Sequence, residues 1–121
     1  MLKDRDTSSP EMKYDKLTER FLSLVENNYR EHRSLDYYAS ALERNPKYLS
    51  RHLKDQTGIN ATDWIDKCVI LDAQARLLSS DIPVREISEN LGFPSQSFFG
   101  KYFKRVTGLS PSEFRERGAG V

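Results

Sequence analysis

Two short stretches of the chain concentrate side chains that can donate hydrogen bonds to anions and to base edges. The first holds Lys47, Ser50, Arg51 and Lys54; the second holds Gln96, Ser97, Lys101, Lys104 and Arg105. Arg and Lys donate to phosphates or to guanine edges, and Gln can bond adenine through two hydrogen bonds. The two stretches copy one pattern. Residues 48–64, YLSRHLKDQTGINATDW, return fifty positions later as 98–114, FFGKYFKRVTGLSPSEF. Lys54 matches Lys104, Thr57-Gly58 matches Thr107-Gly108, Ile59 matches Leu109, and Trp64 matches Phe114. Leu49 and Leu53 match Phe99 and Phe103, one helical turn apart, so each copy carries an apolar face and a donor face. A chain with two such units can present two similar helices to one extended partner. Duplex DNA, with its repeating grooves, fits that description.

The charge distribution agrees. Overall the 121 residues carry 19 basic and 18 acidic groups, close to neutral. Residues 1–45 are net −1, residues 46–58 net +2, residues 59–95 net −3 and residues 96–121 net +3. The positive charge thus sits in the repeated segments. Local basic patches bind phosphate even on a balanced molecule.

Other chemistries find little support. Cys68 is the sole cysteine, so neither an internal disulfide nor a cysteine metal site can form. His32 and His52 have no partner ligands at metal spacing, and there is no nucleophile–base pair or phosphate-cradling Gly loop. The expectation is a protein that is not an enzyme and needs no cofactor. No segment approaches the apolar length of a membrane span, and MLKDRDTSSPEMK lacks the apolar centre of a signal peptide. A soluble, cytoplasmic protein is expected.

The groove-facing side chains need helices behind them. Residues 1–13 are charged, contain Thr-Ser-Ser-Pro, and read as a disordered tail or linker remnant. Leu17, Phe21, Leu24, Val25 and Tyr29 predict a first helix, and Leu35, Tyr38, Ala39 and Leu42 a short second one. Asn45-Pro46 caps and opens a third that stops at Gly58. Asn60, with Asp63 three residues on, starts a long fourth helix from Ala61 to about Ser79, carrying Trp64, Ile65, Cys68, Val69, Leu71, Ala75 and Leu78. Val84, Ile87 and Leu91 mark a fifth, ending at Gly92. Ser95 caps a sixth, and Ser110-Pro111-Ser112-Glu113 is a capping box opening a seventh. No stretch alternates with period two. The fold class is therefore all-α: two helix-turn-helix units, residues 14–60 and 81–121, on either side of a linker helix at 61–80. About eighteen linker residues at ~1.5 Å each span roughly 27 Å, close to the ~34 Å turn of B-DNA, so the rod suits two readers on one duplex face.

This arrangement resembles the C-terminal DNA-binding domain of the AraC/XylS family of bacterial transcription regulators. SLDYYASALERNPKYLSRHLKDQTG forms the first unit, and VREISENLGFPSQSFFGKYFKRVTGLSPSEFR is very close to the family's signature. The likeness runs from about Ser34 to Arg115. It implies a seven-helix, two-lobed domain that binds double-stranded promoter DNA and contacts RNA polymerase. By position it assigns base reading to Lys47, Ser50 and Arg51 in the first unit and to Gln96, Ser97 and Lys101 in the second. It assigns backbone contacts to Lys54, Lys104, Arg105 and the helix starts near Asn45 and Ser95. Ser88, Val69 and Leu53 stand where the family usually has Ala, Arg and Phe, and Gly100 lies inside the second reading helix, where it lowers helix stability and removes one possible base contact. Most family members carry an additional N-terminal sensing or dimerising domain, so the linker-like start favours a fragment over a stand-alone short regulator.

Of the remaining residues, Asp63, Asp66 and Asp72 read as the solvated face of the fourth helix or as an activator's polymerase-contact surface, two readings the sequence does not separate. His52 reads as a packing or solvent residue, and Cys68 as a small core residue. The competing reading of the whole chain is a helical protein-interaction module without DNA binding, supported by the near-neutral charge.

Overall fold

A computed structural model describes residues 14–79 and 81–119; the tail or linker expected at 1–13 lies outside the described residues. The described residues form seven helices and no strand: α1 Lys16–Asn28, α2 Leu35–Ala41, α3 Pro46–Thr57, α4 Ala61–Ser79, α5 Val84–Asn90, α6 Gln96–Thr107 and α7 Pro111–Ala119.

Local chemistry sets most boundaries. Asp15 caps α1 by accepting from Thr18 N at 2.9 Å. Asn45 caps α3 through Lys47 N at 2.8 Å and Tyr48 N at 3.2 Å. Ser95 caps α6 through Phe98 N at 3.0 Å. The capping box is closed in both directions: Ser110 N donates to Glu113 Oε1 at 2.8 Å, and Glu113 N donates to Ser110 Oγ at 3.1 Å. Helices α3 and α6 both end on a left-handed glycine, Gly58 at φ 91° and Gly108 at φ 88°.

The turns inside the two units use one hydrogen-bond scheme. After α2, Glu43 N donates to Ser40 O at 3.1 Å and Arg44 N to Ala39 O at 2.9 Å. After α5, Gly92 N donates to Glu89 O at 3.0 Å and Phe93 N to Ser88 O at 2.9 Å. Both are left-handed helix stops in which the two orphan carbonyls of the last turn are satisfied. The second has Gly at the left-handed position, whereas the first has Glu43, at φ 56°. Four residues separate α2 from α3 and five separate α5 from α6, so the units are not superimposable copies.

Two apolar cores result. Phe21, Val25, Tyr38, Leu42, Leu49, Leu53 and Ile65 belong to the first. Val69, Ala73, Leu77, Ile87, Leu91, Phe93, Phe99 and Phe103 belong to the second. Helix α4 contributes its first half to one core and its second half to the other. Its apolar residues therefore follow no single stripe. Leu71 and Leu78 are exposed, while Ile70, Ala73 and Leu77 are buried. The family departures are absorbed in these cores. Val69 and Leu53 are buried, and the buried Ser88 hydroxyl donates to Arg85 O at 2.6 Å. Burying that hydroxyl without a partner would be costly.

Candidate nucleic-acid interface

Helices α3 and α6 are mounted alike. Leu49 and Leu53 of α3, and Phe99 and Phe103 of α6, have no solvent exposure. With those faces inward, Lys47, Arg51 and Lys54 are exposed on α3, and Gln96, Ser97, Lys101, Lys104 and Arg105 are exposed on α6. Ser50 and Gly100 hold the same position and are half-buried at the edge of that face. A Cβ built on Gly100 would meet no atom within 4 Å, so the outer side of α6 is open there.

One pair of residues was not singled out from the sequence. Tyr48 and Phe98, equivalent in the repeat, leave 52% and 53% of their surfaces exposed in the first turn of each helix. The pairing was visible in the repeat, but an aromatic beside a core position reads as core. Only the packing shows which of two adjacent apolar residues faces out.

The threonine before each helix-ending glycine ties helix to turn. Thr57 Oγ1 lies 2.8 Å from Leu53 O and 3.0 Å from Ile59 O, and it accepts from Ile59 N at 3.2 Å. Thr107 Oγ1 repeats this with Phe103 O at 2.9 Å, Leu109 O at 3.1 Å and Leu109 N at 3.2 Å. Thr57 also accepts from the Trp64 indole N–H at 2.8 Å, a bond that Phe114 cannot reproduce. Thr57 thereby fixes α3 to α4, whereas Thr107 fixes α6 only to the turn at Leu109.

Several charged residues differ from expectation. Asp66 and Asp72 are not solvated; each carboxylate has only 13% of its side chain exposed. Asp72 accepts from Tyr29 Oη at 2.6 Å, from Arg76 Nε at 2.7 Å and from Arg30 Nε at 3.3 Å. Burial opposes its ionisation, but the bonds from Tyr29 and Arg76 and the nearby positive charges outweigh that and hold its carboxyl below the ordinary value. Asp66 accepts from Tyr102 Oη and lies 3.7 Å from Arg105 Nη1. Burial, then the bond to Asp66, pushes the Tyr102 phenol far above its ordinary value, so it stays protonated as the donor. The helical period put these aspartates on a surface facing away from one lobe; the other lobe covers them. Asp63 alone of the three is exposed.

Arg105 is consequently engaged twice, since its guanidinium also lies 5.0 Å from the Tyr102 ring centre. The caps at Asn45 and Ser95 occupy the amides of Lys47, Tyr48 and Phe98, leaving those N–H groups committed within the protein. His52 packs as expected: Nε2 lies 2.6 Å from Asp15 Oδ2, and Asp15 N donates to Gln56 Oε1 at 2.8 Å. The start of α1 is thus pinned to the flank of α3. Cys68 is half-buried against the first core, and burial pushes its thiol up.

A family model described as a helix-turn-helix domain matches residues 38–117. The chain is 37% identical to the arabinose operon regulatory protein of Escherichia coli (strain K12) over 70 residues, 58% of this chain and 24% of that protein. It spans a quarter or less of the length of this and the other foremost curated relatives. Among solved structures, the C-terminal domain of AraT, a response regulator from Geobacillus stearothermophilus, is 28% identical with a TM-score of 0.77, covering 87% of this chain and 88% of that one. The DNA-binding domain of AdpA, solved with a target DNA, shares the fold at 22% identity and a TM-score of 0.73, covering 88% of this chain and 96% of that one. With the duplicated unit, the linker helix and these matches, the chain belongs to the AraC/XylS family of helix-turn-helix transcription regulators.

Proposed function

We propose that this chain is the sequence-specific, double-stranded DNA-binding domain of a bacterial transcription regulator, reading adjacent major grooves with α3 and α6. The observation that carries the reading is the shared register. In both helices the same two positions are fully buried, and the equivalent Arg51 and Lys101, and Lys54 and Lys104, face solvent. Lys47, Ser50 and Arg51 read bases in one groove, and Gln96, Ser97 and Lys101 in the next. Lys54 and Lys104 hold phosphates; Arg105 shares that work with its bond to Asp66, and the helix starts at Asn45 and Ser95 face the backbone. Tyr48 and Phe98 add an apolar surface suited to thymine methyl groups.

The 19 residues of α4, at ~1.5 Å each, make a spacer of roughly 28 Å. Residues 14–60 and 81–121 act as two reading lobes on that spacer, and DNA bending closes the remaining difference from one duplex turn. The reading also draws on relatives named as regulators and on AdpA, whose structure contains a target DNA. The setting is the cytoplasm. Promoter DNA is the partner, RNA polymerase a second one, and an N-terminal sensing or dimerising domain accompanies this one in the whole protein, a reading compatible with the greater length of the relatives.

Selection from randomised duplexes is the decisive experiment. The expected outcome is a motif of two blocks about one helical turn apart. Recovery of sequences no different from the starting pool, with no binding at low salt, would overturn the reading and favour a protein-interaction module.

A further inference from the structure

The two units are joined by more than α4. Arg33, in the connection between α1 and α2, reaches the turn that launches α6. Its Nη1 donates to Leu91 O at 3.2 Å, and its Nη2 lies 3.5 Å from Gly92 O. Its guanidinium carbon sits 3.9 Å from the centre of the Phe93 ring. Phe93 is buried and packs against Phe98, Phe99 and Tyr102, the inner side of the α6 start. The backbones also meet closely. A Cβ on Gly92 would stand 2.3 Å from Arg30 O, and Gly92 has φ +77°, so glycine is required twice over. Arg30 and Tyr29 then bind Asp72 on α4, which closes the loop between the lobes.

We propose that Arg33 is a positioning residue for two-site DNA reading: it sets the angle and separation of α6 relative to α3 by gripping the turn from which α6 starts. The inference rests on the reading of α3 and α6 as groove helices. Its physical basis is leverage. Two bodies joined by one helix rock about that helix, and an off-axis attachment removes the rocking. Arg suits the task because its planar fork reaches two carbonyl oxygens while its face lies on a ring; a lysine ammonium does only part of this. Two weak readers held at fixed separation gain effective concentration for a correctly spaced site, and lose it for a wrongly spaced one.

Two measurements on Arg33→Ala, Arg33→Lys and the unaltered protein test the proposal. The first needs no DNA: amide residual dipolar couplings, fitted for each unit. One alignment tensor should describe both units of the unaltered protein. Arg33→Ala should need two, with Arg33→Lys between them. The second is affinity for selected duplexes in which the spacing between the two blocks is lengthened by one or two base pairs. The unaltered protein should lose about tenfold or more on respacing, while Arg33→Ala should bind the native spacing less tightly and respond little to respacing. If Arg33→Ala does not fold, Arg33→Met, which keeps the apolar stem but not the donors, takes its place. Two tensors already in the unaltered protein, or one tensor and an unchanged spacing profile in the variant, would overturn the clamp. A chain that recognises no sequence would instead sink the DNA reading, and this role with it, whatever the tensors show.

Discussion

Tyr29 Oη donates to Asp72 Oδ2 at 2.6 Å, joining the end of α1 to the middle of α4. Arg30 and Arg76 converge on the same carboxylate, which is therefore a part-buried junction rather than a solvated surface charge. Asp72→Asn should destabilise the protein by about 2 kcal/mol, because hydrogen bonds to a charged group are lost in a part-buried site. The depressed carboxyl pKa sets the pH dependence. Its contribution is present above the ordinary value of 3.8 and is lost as pH falls through the lower folded value. Urea unfolding should thus show a constant gap between the two proteins from neutral pH to about pH 5 and a shrinking gap below the ordinary aspartate range. A gap independent of pH would deny Asp72 its charge-based role.

The two threonines before the helix-ending glycines should differ in weight. Thr107→Val removes bonds to backbone groups only and should cost about 1–2 kcal/mol. Thr57→Val also strips the Trp64 indole N–H of its acceptor and should cost about 1 kcal/mol more. Equilibrium denaturation of the two variants tests the order, and equal losses would mean that the indole finds water at no penalty.

On DNA, the exposed cations should separate by role. Arg51→Ala should cost about 1–3 kcal/mol on the selected site and relax base preference at one position. Lys104→Ala should weaken binding to all sequences alike and reduce the salt slope by about 0.9. Arg105→Ala should change that slope less than Lys104→Ala does, since Asp66 lies 3.7 Å from its guanidinium. Titrations at several salt concentrations, on selected and random duplex, measure all three. Equal loss on both duplexes for Arg51→Ala would remove it from the base readers.

Glu43 occupies a left-handed backbone position that Gly92 fills in the second unit. A side chain there costs about 1–2 kcal/mol relative to glycine, so Glu43→Gly should raise the melting temperature and stabilise the fold by about 1 kcal/mol. A lowered melting temperature would mean that the glutamate side chain contributes more than its backbone strain costs.

Most of the architecture was legible because it rests on local chemistry. Asn45-Pro46, Asn60 with Asp63, and Ser110 with Glu113 are start signals whose hydrogen bonds form as their spacing implies. Leu49, Leu53, Phe99 and Phe103 follow the helical period into the cores. What stayed hidden depends on two elements distant in the chain. Asp66 and Asp72 look solvated until Tyr102 and Tyr29 are brought over them. Leu71 and Leu78 look internal until α4 is seen to serve two cores from different sides. Arg33 carries no local signal at all, because its partners are 58 and 59 residues away. Glu43 could not be read as a left-handed residue, since nothing in a glutamate favours that conformation.

Because α4 gives Ile65 to one apolar cluster and Val69, Ala73 and Leu77 to the other, neither cluster can be completed without it. Severing the chain at either end of that helix would leave one half missing a wall. The molecule should therefore melt as a unit: losing either cluster frees half of α4 and undermines its neighbour.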